Sequence, residues 1–129
     1  MILKKAIQTN LAPKAVGPYS QAVKVGQTLY CSGQVAINPE NNEFEGGSIQ
    51  EQTHRVLKNL IEVLKSADMT TSNIVKTTIY LKDMSDFSAV NRVYESYFES
   101  PYPARVTIQA GELPLNAIVE IDAIAHQGN

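Results

Sequence analysis

The stretch from Ala117 to Ala125 limits what this chain can fold into more than any other, because it is apolar on both faces of the strand it forms. Successive side chains of a strand point to opposite faces. Ile118 and Ile124 therefore point one way, and Val119, Ile121, Ala123 and Ala125 the other. A strand that is apolar on both sides belongs in the interior of a sheet whose two faces are both covered. That cover has to come from the rest of a 129-residue chain or from a partner.

Two helices are legible upstream. Ser48 with Glu51 three residues later is the signature of a capping box. Val56 or Leu57, Leu60, Ile61, Leu64 and Ala67 then recur at helical spacing, with Glu51, Arg55, Lys58, Glu62 and Lys65 on the other side. A second helix is expected from about Ser85 to Phe98, with Phe87, Val90, Val93 or Tyr94, Tyr97 and Phe98 as its apolar stripe and Pro101 and Pro103 preventing its continuation. Gln21 to Val25 and Thr28 to Val35 read as a hairpin across Gly26-Gln27. Further strands are expected at Ile74 to Leu81, with Val75, Thr77, Ile79 and Leu81 on one face, and at Arg105 to Ala110. Asn38 to Gly47 is rich in turn residues and reads as an exposed loop.

This order of strands, helix, strand, helix, strands predicts an α+β fold in which both helices pack on one face of a single sheet. The other face then stays open, and a large open apolar face is a partner surface, so a homo-oligomer is expected. No repeat or linker interrupts residues 1–129, which read as one domain. Eleven basic against thirteen acidic residues give a net charge of -2, and the longest basic run is the pair Lys4-Lys5. That balance argues against electrostatic capture of nucleic acid or an anionic membrane. No apolar run approaches the roughly 18 residues of a membrane span. The lone Cys31 cannot form an internal disulfide and the N-terminus lacks a secretory pattern, so the cytoplasm is the expected compartment. His54 and His126 are too isolated to suggest a metal cluster.

Two charges look embedded. Arg105 opens a strand after Pro103-Ala104, and Glu120 sits between Val119 and Ile121. An ionised group withdrawn from water is costly unless it has a partner or a ligand. On spacing alone the pair reads first as a structural salt bridge or as strand-edge charges facing solvent, and only second as a site, because structural ion pairs outnumber active sites.

Gly17-Pro18-Tyr19-Ser20-Gln21, Ser32-Gly33-Gln34, Gln52-Thr53, Val75-Lys76-Thr77-Thr78 with Asp83, Val90-Asn91 with Tyr94 and Phe98, Pro103-Ala104-Arg105, Leu113-Pro114 and Val119-Glu120-Ile121 occur in this order from about Ala6 to Ala125. In joint order and spacing the chain resembles the Rid-type reactive intermediate deaminases, also called the YjgF or endoribonuclease L-PSP family. The resemblance implies a fold like that of chorismate mutase, assembled as a homotrimer with sites in clefts between subunits. It also implies hydrolysis of 2-aminoacrylate or 2-iminobutanoate, small imino and enamine acids, to 2-keto acids and ammonium. Arg105 would then grip the substrate carboxylate through two parallel hydrogen bonds, and Glu120 would activate water and return a proton to the departing amine. Such chemistry needs no metal or organic cofactor.

By the same resemblance Tyr19, Ser32, Gly33 and Asn91 line the pocket. Their residue-level readings are plainer: Tyr19 as a turn anchor, Ser32 and Gly33 as a bulge, Asn91 as a solvated helix residue. Many relatives have a cysteine where this chain has Thr107, so a thiol contribution there is excluded and only the main chain of Thr107 is expected to meet the ligand. Cys31 reads as a buried inert thiol. Two alternatives accompany the deaminase reading. One is a ribonuclease or translation inhibitor, which clustering of Lys4, Lys5, Lys14 and Lys24 on one surface would support; the other is a non-catalytic trimer that binds a keto acid or amino acid.

Overall fold

The computed structural model describes residues 3–128. Its strands are β1 (Lys4–Ile7), β2 (Ala22–Val25), β3 (Thr28–Gln34), β4 (Ile37–Asn38), β5 (Glu43–Phe44), β6 (Ile74–Leu81), β7 (Ala104–Gln109) and β8 (Val119–His126), and its helices are α1 (Ile49–Ser66) and α2 (Phe87–Glu95). Six strands form one sheet in the order β1-β2-β3-β8-β6-β7. β6 and β7 run parallel and the other pairs antiparallel, so the sheet is mixed. The fold is thus the expected α+β arrangement.

β8 lies in the middle of that order, as its two-sided apolar character requires. Val119, Ile121, Ala123 and Ala125 are buried on the helix side, against Val56, Leu60, Val63 and Leu64 of α1. Each large aliphatic side chain hidden here contributes about 1.5–3 kcal/mol. The α1 cap forms as expected: Ser48 accepts from the Glu51 amide and Glu51 reaches back to the Ser48 amide. Ile61 is only half-buried while Val63 is fully buried, so the apolar stripe is rotated slightly from the expected one. Gly26 adopts the positive φ of +58° that the β2–β3 turn needs.

Four expectations change. β1 is a strand where none is apparent in the sequence, because Lys4 and Lys5 at the sheet edge leave no apolar alternation to read. The loop from Asn38 to Gly47 contains part of a small two-stranded ladder, β4 with β5. α2 ends at Glu95, three residues short, and Phe98 reaches the core from the following turn. In β6 the register slips between Ile74 and Lys76, so Ile74 and Thr77 are both buried while Val75 is 50% exposed. One extra residue in a bulge moves Val75 off the face that simple alternation assigns to it.

Among the described residues no helix covers the far side of the sheet. Tyr30, Val106 and Ile108 are 51%, 44% and 44% exposed, and cross-strand register places Val106 and Ile108 beside Thr78 and Tyr80 on that side. No helix of the described residues is long and apolar enough to cross a membrane.

Candidate active site

Arg105 is the second residue of the edge strand β7 and lies directly opposite Thr77 of β6. Thr77 is buried under the helices, so Arg105 points to the helix side. There its guanidinium carbon stands 5.0 Å from the centroid of the Tyr94 ring and 5.5 Å from that of Phe87, both on α2. Asn91, Glu95, Tyr102 and Pro103 complete the wall of a cavity of about 380 Å³ around it. Arg105 is half-buried, and among the described residues no carboxylate lies within ion-pair distance of its guanidinium. A guanidinium beside aromatic faces, with no acid at ion-pair distance, has the chemistry to receive an anion, and its planar fork matches a carboxylate.

Glu120 looks the other way. It pairs with Tyr80, and Tyr80 pairs with Ile108, which stands three residues beyond Arg105 on β7 and so on the opposite face. Within one chain, then, Arg105 and Glu120 face opposite sides of the sheet. β6 separates their strands, so their relative sidedness depends on two registers that neither strand's own sequence contains.

Around Glu120 the geometry is tight. β3 bulges so that Ser32 and Gly33 together oppose the single residue Asp122. A Cβ on Gly33 would come within 2.9 Å of the Glu120 carboxyl carbon, so the carboxylate occupies the space that any other residue would need. Burial raises the Glu120 pKa, and Asp122, two residues along the same face of β8, raises it further. The Tyr80 hydroxyl donates to Asp122 Oδ2 at 3.0 Å. Two acids and a phenol therefore share the centre of the open face.

The remaining sequence-selected residues divide between these two places. Asn91 lines the Arg105 cavity rather than pointing to bulk solvent. Thr107 is on the Arg105 side of β7, and its hydroxyl oxygen is buried without a hydrogen-bond partner. On the Glu120 side, the Ser32 hydroxyl donates to the Ser20 carbonyl at 2.6 Å and ties the bulge to the turn that carries Tyr19. The Tyr19 amide donates to the Gly17 carbonyl at 2.9 Å and its hydroxyl accepts from the Val16 amide at 3.3 Å, so Tyr19 does anchor that turn. It is 54% exposed and lines a separate cavity of about 670 Å³ with Thr9, Lys14 and Gln21.

Tyr80 and Asp122 were not singled out from sequence, although Asp122 at two residues from Glu120 on a strand necessarily shares its face. Cys31 is buried and its thiol is pushed up to about 12 by burial and the Asp122 charge, which keeps it protonated and unreactive. Lys5 stands opposite Lys24, but Lys4 alternates to the other face, so Lys4, Lys5 and Lys24 do not share one basic face. Among the described residues no three His, Cys, Asp or Glu side chains converge as a metal site.

The architecture is that of an α+β protein with an arginine on its edge strand that has no carboxylate partner among the described residues, and a separate acidic centre. The sequence model of the endoribonuclease L-PSP family matches residues 9–127, and the chain belongs to that family, the Rid proteins. It is 48% identical over 127 residues to mouse 2-iminobutanoate/2-iminopropanoate deaminase, covering 98% of this chain and 94% of the mouse protein. A Yersinia pestis structure of the conserved Rid protein family superposes with a TM-score of 0.94 at 44% identity, covering 97% of this chain and all of that one. The structure of Escherichia coli TdcF with bound serine superposes with a TM-score of 0.90 at 34% identity, covering 96% and 99% of the two chains.

Proposed function

We propose that the protein hydrolyses small 2-imino and enamine acids, such as 2-iminobutanoate and 2-aminoacrylate, to 2-keto acids and ammonium. The observation that carries this reading is Arg105, a half-buried residue whose guanidinium is set against two aromatic rings with no carboxylate partner among the described residues. Mammalian relatives at 43–48% identity carry the name of this deaminase, and the serine in TdcF is likewise a small molecule bearing a carboxylate.

In the proposed reaction Arg105 holds the substrate carboxylate in a bidentate pair, with Asn91 and Thr107 beside it, and so fixes the imine carbon. Glu120 takes a proton from water as the water oxygen bonds to the carbon of the protonated imine and the carbon–nitrogen π bond breaks, leaving a neutral carbinolamine. Glu120 returns that proton to the carbinolamine nitrogen, the carbon–nitrogen bond breaks, and the hydroxyl proton passes to the departing ammonia, giving ketone and ammonium. A carboxyl group with a raised pKa suits both steps, since it is basic enough to accept a proton and acidic enough to return it. Tyr19, Ser32 and Gly33 frame the Glu120 end.

Because Arg105 and Glu120 look to opposite faces of one sheet, the proposal joins the Arg105 edge of one copy to the Glu120 face of another. A homotrimer with three sites between subunits is the assembly that the family resemblance implies. The half-exposed Tyr30, Val106 and Ile108 supply apolar surface for it.

The test is competition for the imine. A threonine dehydratase reaction containing semicarbazide traps 2-iminobutanoate, and added protein is expected to lower the trapped yield while Arg105→Ala leaves it high. Equal trapping with wild type, with Arg105→Ala and with no protein would overturn the assignment for this substrate. The binding-only alternative predicts that Glu120→Gln behaves as wild type in that assay, whereas the enzyme loses its effect on the yield.

A further inference from the structure

The aromatic ring beneath Arg105 is itself held in place. Thr77 Oγ1 and the Tyr94 hydroxyl share a buried hydrogen bond of 2.8 Å, and Thr77 is the residue directly opposite Arg105 in the β6–β7 register. Phe98 stacks on the Tyr94 ring with centroids 4.4 Å apart and planes 28° from parallel. Tyr94 is thus fixed both at its hydroxyl and by stacking, and Thr77 and Tyr94 are 0% and 5% exposed.

We infer that Tyr94, held by Thr77, is a positioning residue that sets the plane of the Arg105 guanidinium for carboxylate recognition; this rests on the carboxylate-binding role proposed above for Arg105. Two parallel hydrogen bonds to a carboxylate require the fork to lie in the plane of its ligand, and an unsupported arginine samples many rotamers. A fixed ring face 5.0 Å from the guanidinium carbon removes much of that freedom before the ligand arrives. Burial raises the Tyr94 pKa more than the Thr77 bond and the Arg105 charge lower it, so the phenol stays protonated and uncharged beside the guanidinium.

The measurements are KM and kcat for imine hydrolysis and, separately, calorimetric binding of 2-ketobutanoate. Tyr94→Leu removes the platform and is expected to weaken 2-ketobutanoate binding about tenfold, with a matching rise in KM and kcat within about twofold. Tyr94→Phe and Thr77→Val each remove only the anchoring bond and are expected to cost about threefold in affinity, and the double variant no more than either single one. A ring that merely fills the core would lower the melting temperature without this division between KM and kcat. Unchanged affinity in folded Tyr94→Leu, or in both Tyr94→Phe and Thr77→Val should the leucine variant not fold, overturns the inference. So do losses that multiply in the double variant. If wild type binds 2-ketobutanoate but hydrolyses no imine, the deaminase reading fails while calorimetry still decides the role of Tyr94. If wild type hydrolyses the imine but binds no 2-ketobutanoate, the deaminase reading stands and KM decides, a KM unmoved in folded Tyr94→Leu overturning the inference.

Discussion

Glu120 carries a pKa that burial, and then Asp122, hold above the ordinary carboxylate value, and this has consequences of fixed sign. Because the folded value is the higher one, the folded chain holds the proton more tightly than the unfolded chain does. Stability from this group is therefore present at low pH and lost as pH rises from the ordinary value through the raised one. Glu120→Gln should raise the melting temperature above that window and leave it unchanged below, as a thermal scan across pH would show. Activity runs the opposite way, since water activation needs the ionised carboxylate: kcat/KM should climb with pH at a midpoint above the ordinary carboxylate range. Asp122→Asn removes the second cause and should move that midpoint to lower pH. A pH–rate profile unmoved by Asp122→Asn would show that the aspartate does not tune Glu120. Gly33 belongs to the same account, since its missing side chain is the room in which the carboxylate lies.

Among the elements, α1 does most to position the acidic centre. Gln52, buried in its first turns, donates to the Gly47 carbonyl at 3.1 Å and accepts from the Ile118 amide at 3.2 Å, so it links the helix start to the residue before β8. Asn59, two turns further on the same face and fully buried, donates to the Ile37 carbonyl at 2.9 Å and secures the chain beyond the β3 bulge. Gln52→Leu strands the half-buried Ile118 amide and should cost about 1–3 kcal/mol. Thermal unfolding should register this as a fall of roughly 5–10 °C. The helices and central strands were legible beforehand because each announces itself locally, α1 by its cap and period and β8 by its two-sided apolarity. β1 was not, since two lysines on a short edge strand carry no periodic signal. The bulges at Val75 and at Ser32-Gly33 differ in this respect. The second has a glycine to betray it, whereas the first is set only by pairing with β8. Arg105 and Glu120 stood out as embedded charges from their apolar neighbours, but which face each occupies is a property of the assembled sheet.

At the scale of the whole molecule the two half-sites give a direct test of assembly. If each site takes Arg105 from one copy and Glu120 from another, Arg105→Ala and Glu120→Gln chains, each inactive alone, should regain activity when mixed, unfolded and refolded together. Random pairing at equal amounts restores about one site in four. No recovery in mixed oligomers would place both groups of each site in a single chain and overturn the shared-site proposal. Ile108→Asp on the open face should weaken association, and sedimentation should show a mass below the threefold value expected of a trimer. The opposed facing of Arg105 and Glu120 then has a kinetic meaning. A newly made chain would fold into something complete in shape yet silent, and activity would appear only as copies meet, rising more steeply than in proportion to their number. The abundance of the protein would act as a threshold on its own reaction, and dilution would switch it off without unfolding a single strand.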